Sequence, residues 1–390
     1  MRPEDLRPEA TDYLRAEVAR GRASCASIVT GTVEYLDDRA EPADLFDLAW
    51  ELVPAEFAAH LEAQATWPER TDSDRLTAAF RALDESRIVA REDFACCQNC
   101  GVTAIRDEVL AGSRARGYVF YHEQDAERAV LGGGLWLAFG PSAQIGEEIV
   151  AALRAEGLHV EWDGSPQQRI DVRLRWARRR HGRLAAFPAD EAAEKTVPIR
   201  FEPAVEHPPM SAAALARLEL PWLPTGTTVR VGDGAGAVTI RREGHRLISD
   251  DGRVAGRFEG IRLLGGADIG DGGDADGVPT ETGLLEVTFS NVPTGAQQHA
   301  NRPMELPEIL DVLRRIPTHT DSWLSAEHDA GCVQIMRKDG RLWLETPNAD
   351  DSTSTGKFAE LDEAERVLTI LATEHRNAIP GLEGVTTTPW

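Results

Sequence analysis

Residues 169–176 read Arg-Ile-Asp-Val-Arg-Leu-Arg-Trp, and within them Ile170, Val172, Leu174 and Trp176 alternate with Asp171, Arg173 and Arg175. A period of two marks a strand with one apolar and one wet face. Just upstream, Leu158-His159-Val160-Glu161-Trp162 and the turn residues Asp163-Gly164-Ser165-Pro166 complete a hairpin pattern. Before that, Ile145, Ile149, Ala152 and Leu153 share one helical face, and Gly157 is placed to end the helix. Further back lie two β-forming runs, 118–121 (Tyr-Val-Phe-Tyr) and 135–139 (Leu-Trp-Leu-Ala-Phe), the second after three glycines. The order strand, strand, helix, strand, strand predicts an α+β layer.

On the N-terminal side the first 95 residues read as helical. Leu76, Phe80 and Leu83 fall on one face behind a Thr71-Asp72 cap, and Leu45, Leu48, Leu52, Phe57 and Leu61 make a second face that Pro54 is expected to kink or break. On the C-terminal side, residues 184–222 carry Pro188, Pro198, Pro203, Pro208 and Pro209 and read as a linker or boundary. A β-rich unit is expected from 223 onward, with strands at 227–231, 237–241 and 284–289 and a flexible Gly/Asp-rich loop at 265–277. Helices at 307–315 and 360–373 flank a strand pair, 331–336 and 341–345, that turns at Asp339-Gly340. The predicted organisation is therefore α+β throughout: N-terminal helices plus a small antiparallel sheet with a helix over 1–183, a boundary over 184–222, and a second β-rich α+β domain over 223–390.

A length of 390 residues fits two or three such units. Sixty-five acids against 42 bases give a net charge of -23, which repels nucleic acid and anionic membranes and favours a protein partner, a basic one above all. No run approaches the roughly 20 apolar residues that span a bilayer, and the N-terminus, MRPEDLRPEATDYLR, has no apolar signal core. A cytoplasmic location is expected. Five cysteines, three of them crowded at 96–100, do not form the even framework of a disulfide-stapled protein and fit a reduced compartment.

That crowding, Cys96-Cys97-Gln98-Asn99-Cys100-Gly101, is the most unusual local feature. Thiolates at i and i+3 can share one zinc ion at about 2.3 Å, but a structural site takes four ligands, and the nearest added donor is His122. The candidate metal set is Cys96, Cys97, Cys100 and His122, with zinc the cofactor these residues admit. The same cysteines can instead be small apolar packing residues, or a thiol redox centre if a depressed pKa activates one of them. His122 with Glu123, Asp125 and Glu127 also reads as an acid-base cluster at a strand end, against simple solvation there. His122-Glu123 does not begin a zincin helix, because Ala126 stands where the second histidine belongs.

One basic stretch stands out on the acidic chain. Arg173, Arg175, Trp176, Arg178, Arg179 and Arg180, with Arg169 and Arg183 at its ends, make a candidate binding strip for RNA, a phosphate or an acidic partner. The plainer reading makes the odd positions the wet face of a strand and the arginine triplet a solvated turn. Other motifs fail on their surroundings. Gly232-Asp233-Gly234-Ala235-Gly236 precedes a strand pattern where a dinucleotide fingerprint needs a helix, and Gly356-Lys357 is followed by Phe358 where a P-loop needs Ser or Thr. The aspartates of 265–277 lack carboxylates at the first and twelfth positions of a calcium loop, and no G-x-S-x-G elbow occurs.

Asp74-Arg75-Leu76, Ile88-Val89-Ala90-Arg91-Glu92-Asp93-Phe94, the CCQxCG run, the strand RGYVFYHxQD from Arg116 to Asp125, and Gly133-Gly134-Leu135 together resemble an uncharacterised bacterial family defined only as a domain of unknown function, over residues 40–180. The resemblance implies one module for the cysteines and the Tyr-His strand, and brings no activity. The segments Cys332-Val333-Gln334-Ile335 and Leu342-Trp343-Leu344-Glu345 resemble small α+β domains of bacterial toxin-immunity proteins. With acidic charge and no familiar catalytic pattern, the first expectation is a non-catalytic binding or regulatory protein, an immunity-type inhibitor being one form. The rival is a zinc-binding or thiol-dependent module, or small enzyme, using Cys97, Cys100 and His122. RNA binding along 169–183 is the third.

Overall fold

The computed structural model describes residues 2–111, 115–188, 196–202, 207–244, 246–265, 283–290, 298–316, 322–338 and 341–389. The fold is α+β. Its chain forms two units, each assembled from separate segments. One holds 1–66, 179–284 and 300–305, and the other 67–178, 285–299 and 306–390.

In the first unit, helices α1 (Pro3–Arg20), α2 (Cys25–Tyr35) and α3 (Pro42–Ala65) begin as their sequences dictate. Pro3 and Pro42 sit in first turns, where their missing N–H is not needed, and the Ser24 hydroxyl accepts the Ser27 N–H to cap α2. Of the two outcomes expected at Pro54, a break does not occur, and α3 runs through it. Buried Trp50, Val53 and Phe57 hold the flanking turns, and the Trp50 indole donates to the Pro209 carbonyl at 2.7 Å, so packing offsets the lost backbone bond.

The apolar faces of these helices meet an antiparallel sheet of five strands, in spatial order Val254–Gly256, Arg246–Ser249, Val238–Glu243, Thr228–Val231 and Ile199–Glu202. Leu14, Val18, Ile28 and Phe57 share one core with Leu215, Val229, Ile240 and Leu247. This corrects the expected division at 183 and 222. The N-terminal helices have their core partners beyond residue 199, and the supposed linker contributes a strand and the helix Ala212–Leu218. Of the expected flexible loop, residues 266–277 lie outside the described residues.

The second unit opens with α4 (Asp72–Glu85), held by a capping box in which Thr71 Oγ1 accepts the Asp74 N–H and Asp74 accepts the Thr71 N–H. Then follow β1 (Ile88–Arg91), α5 (Gln98–Ala111), β2 (Gly117–Phe120), α6 (Glu123–Val130), β3 (Leu135–Gly140), α7 (Ala143–Ala155), β4 (His159–Glu161) and β5 (Ile170–Arg173). Sheet order is β1-β2-β3-β5-β4, with β1 and β2 parallel and every other pair antiparallel. The hairpin of β4 and β5 and the helix α7 stand where the sequence places them. Three elements correct it: β1 was read inside the helical region, and α5 and α6 were not expected. A parallel pair needs a crossover, and α5 supplies it.

The sheet is covered on both sides. Leu76, Phe80, Ala126, Ile149 and Val172 belong to the core under α4, α6 and α7, while Val89, Phe94, Ile105 and Phe120 form a separate core under α5. Contact between α5 and β2 is close enough that a Cβ on Gly101 would stand 2.3 Å from the buried Phe120 ring. Gly101→Ala is therefore expected to lower stability by about 1–3 kcal/mol through overpacking, read as a lower denaturant midpoint.

The same unit contains a larger antiparallel sheet, with Trp323–His328, Gly331–Lys338, Arg341–Asn348, Thr353–Ala359 and Thr386–Pro389 as successive neighbours. The expected strand pair is present in register Ile335↔Leu344, and its turn at Asp339-Gly340 lies outside the described residues. Helices Leu306–Arg315 and Leu361–Glu374 match the expected ones within a residue. Among the described residues no helix is long and apolar enough to cross a membrane.

Candidate functional site

The loop from β1 to α5 carries the cysteines, and its backbone is unusual. Asp93 and Ala95 hold φ of 51° and 65°, a left-handed conformation that is unfavourable for residues with a Cβ and that clusters at functional loops. Two backbone hydrogen bonds fix the loop to the corner between β2 and α6: the Phe94 N–H donates to the Tyr121 carbonyl at 2.8 Å and the Glu123 N–H to the Ala95 carbonyl at 3.2 Å. Phe94 packs edge-on against Phe120.

Cys97 directly precedes α5, and its carbonyl accepts the first helical bond, from the Gly101 N–H at 2.9 Å. Cys97 thus occupies the N-cap position, with Cys100 one turn on. The sulfurs of Cys96, Cys97 and Cys100 all lie within 4.8 Å of one another. Cys97 is half-buried and the other two are exposed. The Cys100 backbone N–H and side chain both favour a Cys97 thiolate and hold its pKa below the ordinary thiol value of 9.0. Cys100 moves the other way, up to about 11, as hydrogen bonds to the Cys96 and Cys97 sulfurs retain its proton. The two remaining cysteines lie elsewhere: Cys25 is buried, and Cys332 sits beside Ser325 at 3.3 Å.

His122 does not join the sulfur set. It is the N-cap of α6, not a strand-end residue, because the chain turns into a helix whose third residue, Asp125, reaches back to it. Asp125 Oδ2 accepts the His122 backbone N–H at 3.2 Å and lies 3.1 Å from His122 Nε2. Asp125 is itself buried and takes a short hydrogen bond from Arg169, which also donates to the Trp136 carbonyl at 2.7 Å. Burial lowers the His122 pKa below 6.5, against the pull of Asp125, so the ring is neutral. A neutral ring with Nε2–H directed to Asp125 leaves Nδ1 a bare acceptor, and Nδ1 is buried with no partner among the described residues.

His122 and Cys97 line one cavity of about 370 Å³, together with Asp125, Arg128, Trp136 and Arg169. The wall therefore combines a polarised sulfur, a neutral imidazole oriented by a carboxylate, and two guanidiniums over an indole. Asp125 alone of the three acids read near His122 lines this wall. Arg128, Trp136 and Arg169 were not read as one site, since Arg128 and Arg169 are 41 positions apart and meet here only through the β3–β5 pairing.

The arginine strip is largely dismantled by the fold. Arg173 is exposed and paired with Glu161 and Asp171 at 3.2 and 3.1 Å, and Arg175 is exposed. Trp176 is half-buried, edge-on to Tyr121, and Arg179 is half-buried. Arg178 and Arg180, expected in a solvated turn, are buried. Arg178 donates to Glu92 at 2.5 Å, and Arg180 donates to the carbonyls of Val18, Ala23 and Leu184. A guanidinium enters a core when acceptors converge on its donors, as three carbonyls do on Arg180, or when a buried carboxylate pairs it, as Glu92 does Arg178.

Residues 3–180 match the family described as Domain of unknown function (DUF6891). This bears out the resemblance read over 40–180 and extends it to the N-terminal helices. Comparison with curated proteins and with solved structures gives no match.

Proposed function

We propose that this protein is a thiol-dependent module in which Cys97 and Cys100 work as a dithiol–disulfide pair. The observation that carries the reading is the convergence of both sulfurs in the first turn of α5, at the end of a strand in a parallel β-α-β unit. A C-x-x-C turn in that setting, in a reduced compartment, is a redox arrangement by its chemistry. The Cys97 thiolate attacks one sulfur of a disulfide R–S–S–R′, forming a mixed disulfide and releasing R′S⁻, which takes up a proton. Cys100 then loses its proton and attacks the Cys97 sulfur, closing the Cys97–Cys100 bond and releasing RS⁻. Two electrons pass to the substrate disulfide, and the two protons of the dithiol end on the released thiols.

Treating reduced, chelator-treated protein with bis(2-hydroxyethyl) disulfide and mapping its peptides tests this. The expected product is a Cys97–Cys100 bridge, and Cys100→Ser is expected to stop at the mixed disulfide on Cys97. A bridge that uses Cys96 in place of Cys100, or an unreacted protein, would overturn the reading. The third sulfur favours a second one, a soft ion such as zinc held by Cys96, Cys97 and Cys100 with an open fourth position. Metal content before chelation, in the wild type and in Cys96→Ser, separates the two. The immunity-type binding role draws on the acidic charge, the lack of a familiar catalytic pattern and the short likeness at 332–335 and 342–345.

A further inference from the structure

We infer that the cavity beside Cys97 receives a carboxylate-bearing arm of a small disulfide substrate, an inference that rests on the dithiol reading above. Arg128, Trp136 and Arg169 lie beside Cys97 on the lining of this cavity. Guanidiniums only donate hydrogen bonds, so the arm they receive has to offer an acceptor.

Charge narrows the acceptor to an anion. The Arg169 charge is matched by Asp125, but Arg128 has only the Gly134 carbonyl, at 3.1 Å, as hydrogen-bond acceptor among the described residues. Its guanidinium lies 3.8 Å from the centroid of Trp136, a ring 40% exposed, with the Arg169 guanidinium 5.5 Å from the same centroid. Asp125 against Arg128 and Arg169 leaves one guanidinium charge unmatched among the residues of this wall, and a carboxylate on Arg128 matches it. Cys97 stands on the same wall, so an arm seated there brings the adjoining disulfide to the sulfur that attacks it.

Three disulfides of matched length test this: 3,3′-dithiodipropionate, bis(2-hydroxyethyl) disulfide and cystamine, which are anionic, neutral and cationic. The long-range field of a chain at -23 favours cystamine, so a local site must reverse that order to be seen. At low salt the expected second-order rate constant for single oxidation of the reduced protein by the dicarboxylate exceeds that for the neutral compound by roughly tenfold and cystamine is slowest, with the advantage shrinking as salt screens a half-exposed cation. Arg128→Gln is expected to bring the anionic-to-neutral ratio close to one, and Arg128→Lys to retain part of it. Cystamine or the neutral disulfide reacting fastest, or a ratio that Arg128→Gln does not move, would overturn the substrate class and leave the dithiol intact. Failure of all three disulfides to react would remove the dithiol reading and this inference with it.

Discussion

Arg91→Met is expected to lower the free energy of unfolding by about 3–5 kcal/mol, the range for stranding a buried charge. Arg91 is 2% exposed on β1, yet three groups converge on it. Its Nη1 donates to Asp84 Oδ1 at 2.9 Å and to the Ala90 carbonyl at 2.7 Å, and its Nε donates to Glu108 at 2.7 Å. Burial works against the charge, but Asp84 and Glu108 more than offset it and the guanidinium pKa is raised. Asp84 is buried at the end of α4 and also accepts the Ala90 N–H. Removing the arginine takes from that carboxylate the cation it is hydrogen-bonded to and breaks the Glu108 tie between α5 and β1. The double variant Arg91→Met, Asp84→Leu is expected to recover part of the loss, because both buried charges go together. Arg376→Met is the control, since its pair with Glu374 is more than half exposed on both sides and should contribute below about 1 kcal/mol. Denaturant unfolding followed by circular dichroism reads all three. A loss under 1 kcal/mol for Arg91→Met would mean that the network does not hold α5 in place.

What the sequence made legible follows from what periodicity measures. Ile170, Val172 and Leu174 alternate with charges because β5 has one face toward the core and one toward water, so strand and face were both readable. Four-residue β1, Ile-Val-Ala-Arg, is buried throughout and has no period to distinguish it from a helical stretch. In α6 an acidic, eight-residue segment after a strand read as a polar strand end. The His122/Asp125 spacing was the available signal for its capping box. In α5, Val102, Ile105 and Val109 do fall at helical spacing, but the glycine and cysteines at its start drew the reading toward a turn.

Partners were the least legible. A helical face reports that it is buried, not what buries it, and α1 to α3 gave no sign that strands beyond residue 199 complete their core. The site followed the same rule. Cys96, Cys97 and Cys100 were visible because they are adjacent, while the cavity wall of Arg128, Trp136 and Arg169 exists only once β3 pairs with β5. Arg178 and Arg180 misled for the converse reason, since their acceptors are far away in sequence.

The second large effect is a difference in reactivity between sulfurs one helical turn apart. Cys97 ionises below 9.0 because the Cys100 N–H at the start of α5 receives its charge, while Cys100 keeps its proton to about 11. Only the thiolate is alkylated, so well below pH 9 Cys97 is expected to carry on the order of a hundredfold more reactive form than Cys100. The direct measurement is the pH dependence of iodoacetamide labelling on reduced, chelator-treated protein, resolved by residue with mass spectrometry. First labelling at Cys97, with a midpoint below 9.0, and later labelling at Cys100 is the expected result. Equal rates at the three sulfurs, or first labelling at Cys100, would contradict the assignment of Cys97 as the attacking thiolate.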